Sequence, residues 1–136
     1  MLRPYIVQLV ALLALAVIAD AFAVARSVIS SGGGYLVEYS SSFDPMPLNR
    51  LFSLNIVIKP NKQSGRPSPL VNVDARMPTH NHGMNTRIVV QKLEEGHYRA
   101  DGLLFHMPGH WRITIDLTDE RNVTEQVVIN AQIQND

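Results

Sequence analysis

All five histidines of the chain, His80, His82, His97, His106 and His110, lie between Met77 and His110, together with Met77, Met84 and Met107. That window is about a quarter of the 136 residues. Imidazole and thioether side chains gathered in one short stretch form the donor set of a copper site: thioether sulfur selects Cu(I), and imidazole accepts Cu(I), Cu(II) or Zn(II). Zinc ordinarily recruits thiolate or carboxylate beside histidine, and the chain contains no cysteine. Copper, as Cu(I) or Cu(II), is the expected cofactor.

Two segments carry these donors. In Met77-Pro78-Thr79-His80-Asn81-His82-Gly83-Met84, the two histidines stand at i and i+2. On an extended backbone they project from one face, and Met84 shares their parity. The second segment is Phe105-His106-Met107-Pro108-Gly109-His110-Trp111. Carried back from Trp111, Ile113, Ile115 and Leu117, strand parity turns His106 and His110 outward and sets Met107 on the Trp111 side. Met107 there is equally a ligand or a core-filling residue, and Pro108-Gly109 can introduce a bulge that redirects it. The expected site has His80, His82 and Met84 as its first arm, closed by Met107 and either His106 or His110. Met77 reads as a buried strand residue continuing Val71, Val73 and Ala75, and His97 as a solvated residue after the turn Glu94-Glu95-Gly96. Asp74 falls on the opposite face of its strand and is left out of the site.

The elements that must position these residues are strands. Phe52, Leu54, Ile56 and Ile58 are apolar at every second position, as are Val71, Val73 and Ala75, then Trp111, Ile113, Ile115 and Leu117, then Val127, Ile129, Ala131 and Ile133. This is the period of a strand burying one face. Tyr35 to Tyr39, Arg87 to Leu93 and His97 to Leu104 are shorter candidates, making about seven strands. Asp44-Pro45-Met46-Pro47, the stretch from Pro60 to Pro67 and Glu94-Glu95-Gly96 supply turn chemistry. No segment after residue 26 has a helical period. The fold expected is all-β, an immunoglobulin-like antiparallel β-sandwich over residues 35–136. Residues 26–34, ending in Gly32-Gly33-Gly34, read as a flexible linker.

The first 25 residues differ from the rest. Arg3, an apolar run from Tyr5 to Ala19 and the small-residue patterns Ala21-Phe22-Ala23 and Ala23-Val24-Ala25 describe a secretory signal peptide, with cleavage expected after Ala23 or Ala25. The alternative is an uncleaved membrane anchor. Either places the remainder outside the cytoplasm, in the periplasm or at the outer face of the inner membrane.

Lys and Arg total 12, as do Asp and Glu, and both signs are scattered. Nucleic acid is therefore not an expected partner, because phosphate backbones require a concentrated basic footprint. No nucleophile elbow, phosphate loop or supported carboxylate pair is present, and the missing cysteine excludes blue-copper electron transfer. A binding protein is expected rather than an enzyme.

The element Met77-Pro78-Thr79-His80-Asn81-His82-Gly83-Met84, followed by Gly96-His97-Tyr98-Arg99 and then Gly102-Leu103-Leu104-Phe105-His106-Met107-Pro108-Gly109-His110-Trp111, resembles the YtkA-like and FixH-like group of small exported bacterial domains. The resemblance spans about 35 residues and implies an immunoglobulin-like sandwich. On its FixH side it implies copper delivery during assembly of respiratory oxidases, so a membrane oxidase-assembly or copper-transport protein is the expected partner. FixH proteins keep an uncleaved anchor, whereas Ala21-Phe22-Ala23 here suggests processing. The leading expectation is a periplasmic copper chaperone or copper-handling factor. The alternative is a metal-free envelope interaction domain or accessory subunit.

Overall fold

A computed structural model of the protein describes residues 24–61 and 66–135. The expected signal peptide or anchor lies outside the described residues except for its last two positions. Among the described residues no helix is long and apolar enough to cross a membrane.

The described chain is all-β. Nine strands run in the order β1 Arg26–Ile29, β2 Tyr35–Ser41, β3 Phe52–Pro60, β4 Leu70–Met77, β5 His82–Gly83, β6 Val89–Glu94, β7 His97–Leu103, β8 Gly109–Thr118 and β9 Thr124–Ile133. They form two antiparallel sheets, one ordered β1-β2-β3-β7-β6 and the other β5-β4-β8-β9, packed as a β-sandwich. The alternating residues explain the packing. Tyr35, Val37, Tyr39, Ile56, Ile58 and Tyr98 from the first sheet meet Val73, Ala75, Met77, Trp111, Ile113, Ile115, Leu117, Val127 and Ile129 from the second, all buried. Removing this much apolar surface from water is the main favourable term in folding.

The seven strands expected from periodicity are all present, and two more join them. β5 has only two residues, too few to show a period. The first strand occupies part of the segment expected to be a flexible linker: Arg26–Ile29 pairs with β2 from Arg26↔Tyr39 to Ile29↔Leu36. The physical reason is a clasp formed by a residue far along the chain. Glu125, near the start of β9, accepts hydrogen bonds from the Ser30 hydroxyl at 2.5 Å and the Gly34 backbone N–H at 2.9 Å. Ser31 and Gln126 add two further bonds, Ser31 N–H to the Gln126 carbonyl at 2.8 Å and Gln126 N–H to the Ser31 hydroxyl at 3.0 Å. The β1–β2 turn of one sheet is thus tied to the outer strand of the other. The glycines here serve close approach, since a Cβ on Gly32 would sit 2.7 Å from the Glu125 carboxyl carbon.

Parity breaks once in the first sheet in a way that matters for the site. Phe52 pairs with Leu103 but Leu54 pairs with Ala100, so β7 carries an extra residue. Gly102, at φ +90°, sits in that bulge, and a Cβ there would collide with the Arg87 carbonyl oxygen. The bulge leaves both Ala100 and Leu103 buried and aims the following segment, Leu104 to Pro108, across the end of the sandwich.

The Ser30 hydroxyl, followed by backbone N–H groups, holds the Glu125 carboxyl below its ordinary pKa against the opposing effect of burial. A carboxyl depressed in the folded state stabilises above its unfolded pKa and loses that contribution as pH falls through the folded value. Glu125→Ala is expected to cost about 1–3 kcal/mol in denaturant unfolding at neutral pH. Glu125→Gln should lose less stability than wild type when the pH is taken below the ordinary carboxylate range.

Candidate metal centre

The two donor segments meet at one end of the sandwich. β4 ends at Met77, and Pro78, which has no N–H, stops the ladder. The chain turns through residues 78–81, with the His80 N–H bonded to the Met77 carbonyl at 3.2 Å and Asn81 in the left-handed region at φ 51°. Asn tolerates that conformation better than most residues. The chain then returns as β5, pairing Met77↔His82 and Arg76↔Gly83. His82 is therefore the cross-strand partner of a fully buried residue and shares its inward face. His80 stays on the turn and is exposed.

The second segment is held at three points. Leu48 forms an isolated parallel bridge with Phe105, and the Asn49 N–H donates to the Phe105 carbonyl at 2.8 Å. The Trp111 indole Nε1–H donates to the Met107 carbonyl at 2.9 Å. Gly109 opens β8 at φ +121°, and a Cβ there would stand 3.0 Å from the Met77 methyl, so both the backbone and the space favour glycine. The loop is thereby fixed over the core, with Phe105 and Trp111 buried and in ring contact at 4.9 Å between centroids.

The imidazoles gather around this loop. Ring centroids of His82 and His106 are 5.3 Å apart, and those of His80 and His82 are 5.9 Å apart. Two imidazoles sharing an ion at about 2.0 Å have centroids about 5–6 Å apart. His82 and His106 also pack edge-on with Trp111, at 6.0 and 5.4 Å. The Nδ1 of His82 lies 3.0 Å from the Gly83 carbonyl oxygen. A carbonyl can only accept, so Nδ1 carries the proton and Nε2 presents its lone pair. His106 Nδ1 is buried and has no hydrogen-bond partner. Met84 lies just beyond β5, and its sulfur accepts the Leu104 N–H at 3.2 Å, joining the two segments. Among the described residues no three His, Cys, Asp or Glu side chains already form a closed metal-holding group. The arrangement is an inner imidazole pair with a thioether on the joining contact and a third imidazole outside.

The remaining expected residues fall elsewhere. His110 lies on the outer face of the second sheet, its Nε2 3.0 Å from Asn130 Oδ1, on the opposite side of β8 from Trp111. Of the two histidines expected to close the site, only His106 comes near the first arm. The expectation that His106 faces outward alongside His110 is corrected: strand geometry begins only at Gly109, so parity cannot be carried back through Pro108 and the positive-φ glycine. Met107, like Met84, is partly buried against the core, and its carbonyl contributes to the loop's anchorage. Met77 is buried as expected, His97 is exposed with its Nδ1 3.5 Å from a Glu94 carboxylate oxygen, and Asp74 pairs with Arg76 on the outer face. Periodicity marks Trp111 as core. It does not reveal that the indole also flanks both inner histidines, because that contact depends on how the loop folds back.

Comparison with known proteins finds no matching family model, no matching curated protein and no matching solved structure.

Two measurements check this geometry. Long-range 1H–15N NMR of the metal-free protein should show the neutral His82 ring as the Nδ1–H tautomer. Trp111→Phe, which keeps an aromatic ring but loses the bond to Met107, should lower unfolding stability by roughly 2 kcal/mol.

Proposed function

We propose that this domain is an extracytoplasmic copper carrier, an immunoglobulin-like sandwich that holds the ion between His82 Nε2 and His106 Nδ1, with Met84 as sulfur donor and His80 within reach. The observation that carries this reading is the buried, unpartnered His106 Nδ1 beside His82. Leaving a buried polar group unpaired costs about 1–3 kcal/mol, and a ligand bound there relieves that cost.

The donor chemistry supports copper over zinc. Imidazole and thioether together suit Cu(I), and the chain has no cysteine to supply a thiolate. Sulfur supplied by methionine also avoids thiol–disulfide exchange in an oxidising compartment. An open arrangement suits a protein that must give its ion away, and the receiver expected for it is a membrane oxidase-assembly or copper-transport protein. Binding and release require no catalytic group, so the protein acts as a carrier rather than an enzyme.

Anaerobic competition against a chromophoric Cu(I) chelator tests the reading. Wild type should compete for Cu(I), and His82→Ala and His106→Ala should each weaken binding about tenfold or more, equivalent to ~1.4 kcal/mol. His110→Ala, on the far face of the sheet, should change affinity less than about twofold. Wild type that takes up no copper, or full uptake in the His82 and His106 variants, would favour the metal-free interaction domain instead.

A further inference from the structure

The three histidines at the sandwich end are not equivalent, and their order from solvent to core suggests how the ion moves. His80 is exposed on the β4–β5 turn, while His82 and His106 are both partly covered. The His106 Nδ1 is fully enclosed. His82 is the shared neighbour, 5.9 Å from His80 on one side and 5.3 Å from His106 on the other. Trp111 packs against the inner two rings, and of the three histidines His80 is the one exposed.

We infer that these histidines form a two-station path, in which copper is captured between His80 and His82 at the surface and settles between His82 and His106 beneath. This rests on the copper reading above. In the step between stations the Cu–N bond to His80 breaks as the Cu–N bond to His106 Nδ1 forms, while the bond to His82 Nε2 is kept. Oxidation state and total charge are unchanged. Each ring binds through a nitrogen bearing a lone pair and keeps its proton on the other nitrogen, Nδ1 in His82 and Nε2 in His106. Met84, whose sulfur lies against the Leu104 N–H next to the His106 segment, belongs to the inner station. Release runs the same path in reverse: a receiving protein offers its own ligand at the outer station and takes the ion there, without prising open the packed loop over Trp111.

His80 accordingly governs the rate of exchange and contributes little to equilibrium affinity. The test is anaerobic stopped-flow transfer of Cu(I) between the full chain and bathocuproine disulfonate, followed in both directions beside equilibrium competition. For His80→Ala the affinity should stay within about threefold of wild type while capture and release both slow by about tenfold, since an unchanged equilibrium constant requires both rates to fall together. His106→Ala, and the bulkier polar His106→Gln, should lose affinity instead. His97→Ala, an exposed histidine elsewhere on the surface, should change neither quantity.

Two results would overturn the path. If His80→Ala loses as much affinity as His106→Ala, the three imidazoles form one cage. If His80→Ala leaves both affinity and rates unchanged, His80 is a bystander. Wild type that binds no Cu(I) defeats the underlying copper reading itself, a result distinct from either of these.

Discussion

The hydrogen bond from the Trp111 indole to the Met107 carbonyl joins the core to the site. Trp111 is the largest fully buried side chain, so its position is set by the packing of both sheets. Its N–H must find a partner there, because a buried donor left unpaired is costly. The carbonyl that accepts it belongs to the loop carrying His106. One bond therefore converts the rigidity of a hydrophobic core into the placement of an imidazole. The Gly109 backbone and the Met77 methyl complete the fit, since the loop can lie this close only where no side chain intervenes.

The same packing explains why the site is neither closed nor disordered. His82 is fixed by strand pairing and by the bond from its Nδ1 to the Gly83 carbonyl, which also decides the nitrogen left for a ligand. Second contacts of this kind orient metal-binding histidines and set their tautomer. His80 has no comparable restraint on its ring and stands in solvent. Cover thus decreases outward from the fully buried Trp111, through the half-buried His106 and His82, to the exposed His80.

Most of the fold is legible in the sequence where a strand buries one face along its length, as Trp111 to Leu117 and Val127 to Ile133 do. It is illegible where pairing depends on distant residues. Arg26–Ile29 is mostly exposed, and what holds it against β2 includes Glu125, far along the chain. The donor cluster is visible in composition, and the pairing of His80 with His82 follows from their spacing. Its reason differs from the one parity suggests, because His80 lies on a turn and only His82 on a strand. The division between His106 and His110 is invisible to parity, since proline and a positive-φ glycine interrupt the strand between them. The part Met107 plays in anchoring the loop comes from its carbonyl, an atom about which residue type says nothing.

The Glu125 clasp has a mechanical meaning. The described chain enters the fold at β1, a four-residue strand at the rim of the first sheet. Tension applied from that side would peel β1 from β2 one rung at a time if their own ladder were all that resisted. The carboxylate grips the turn at its inner end, at Ser30 and Gly34, and passes load to β9 in the opposite sheet. Peeling would then halt at Ser30, before the strain reached the layer that holds Trp111 and the histidine loop.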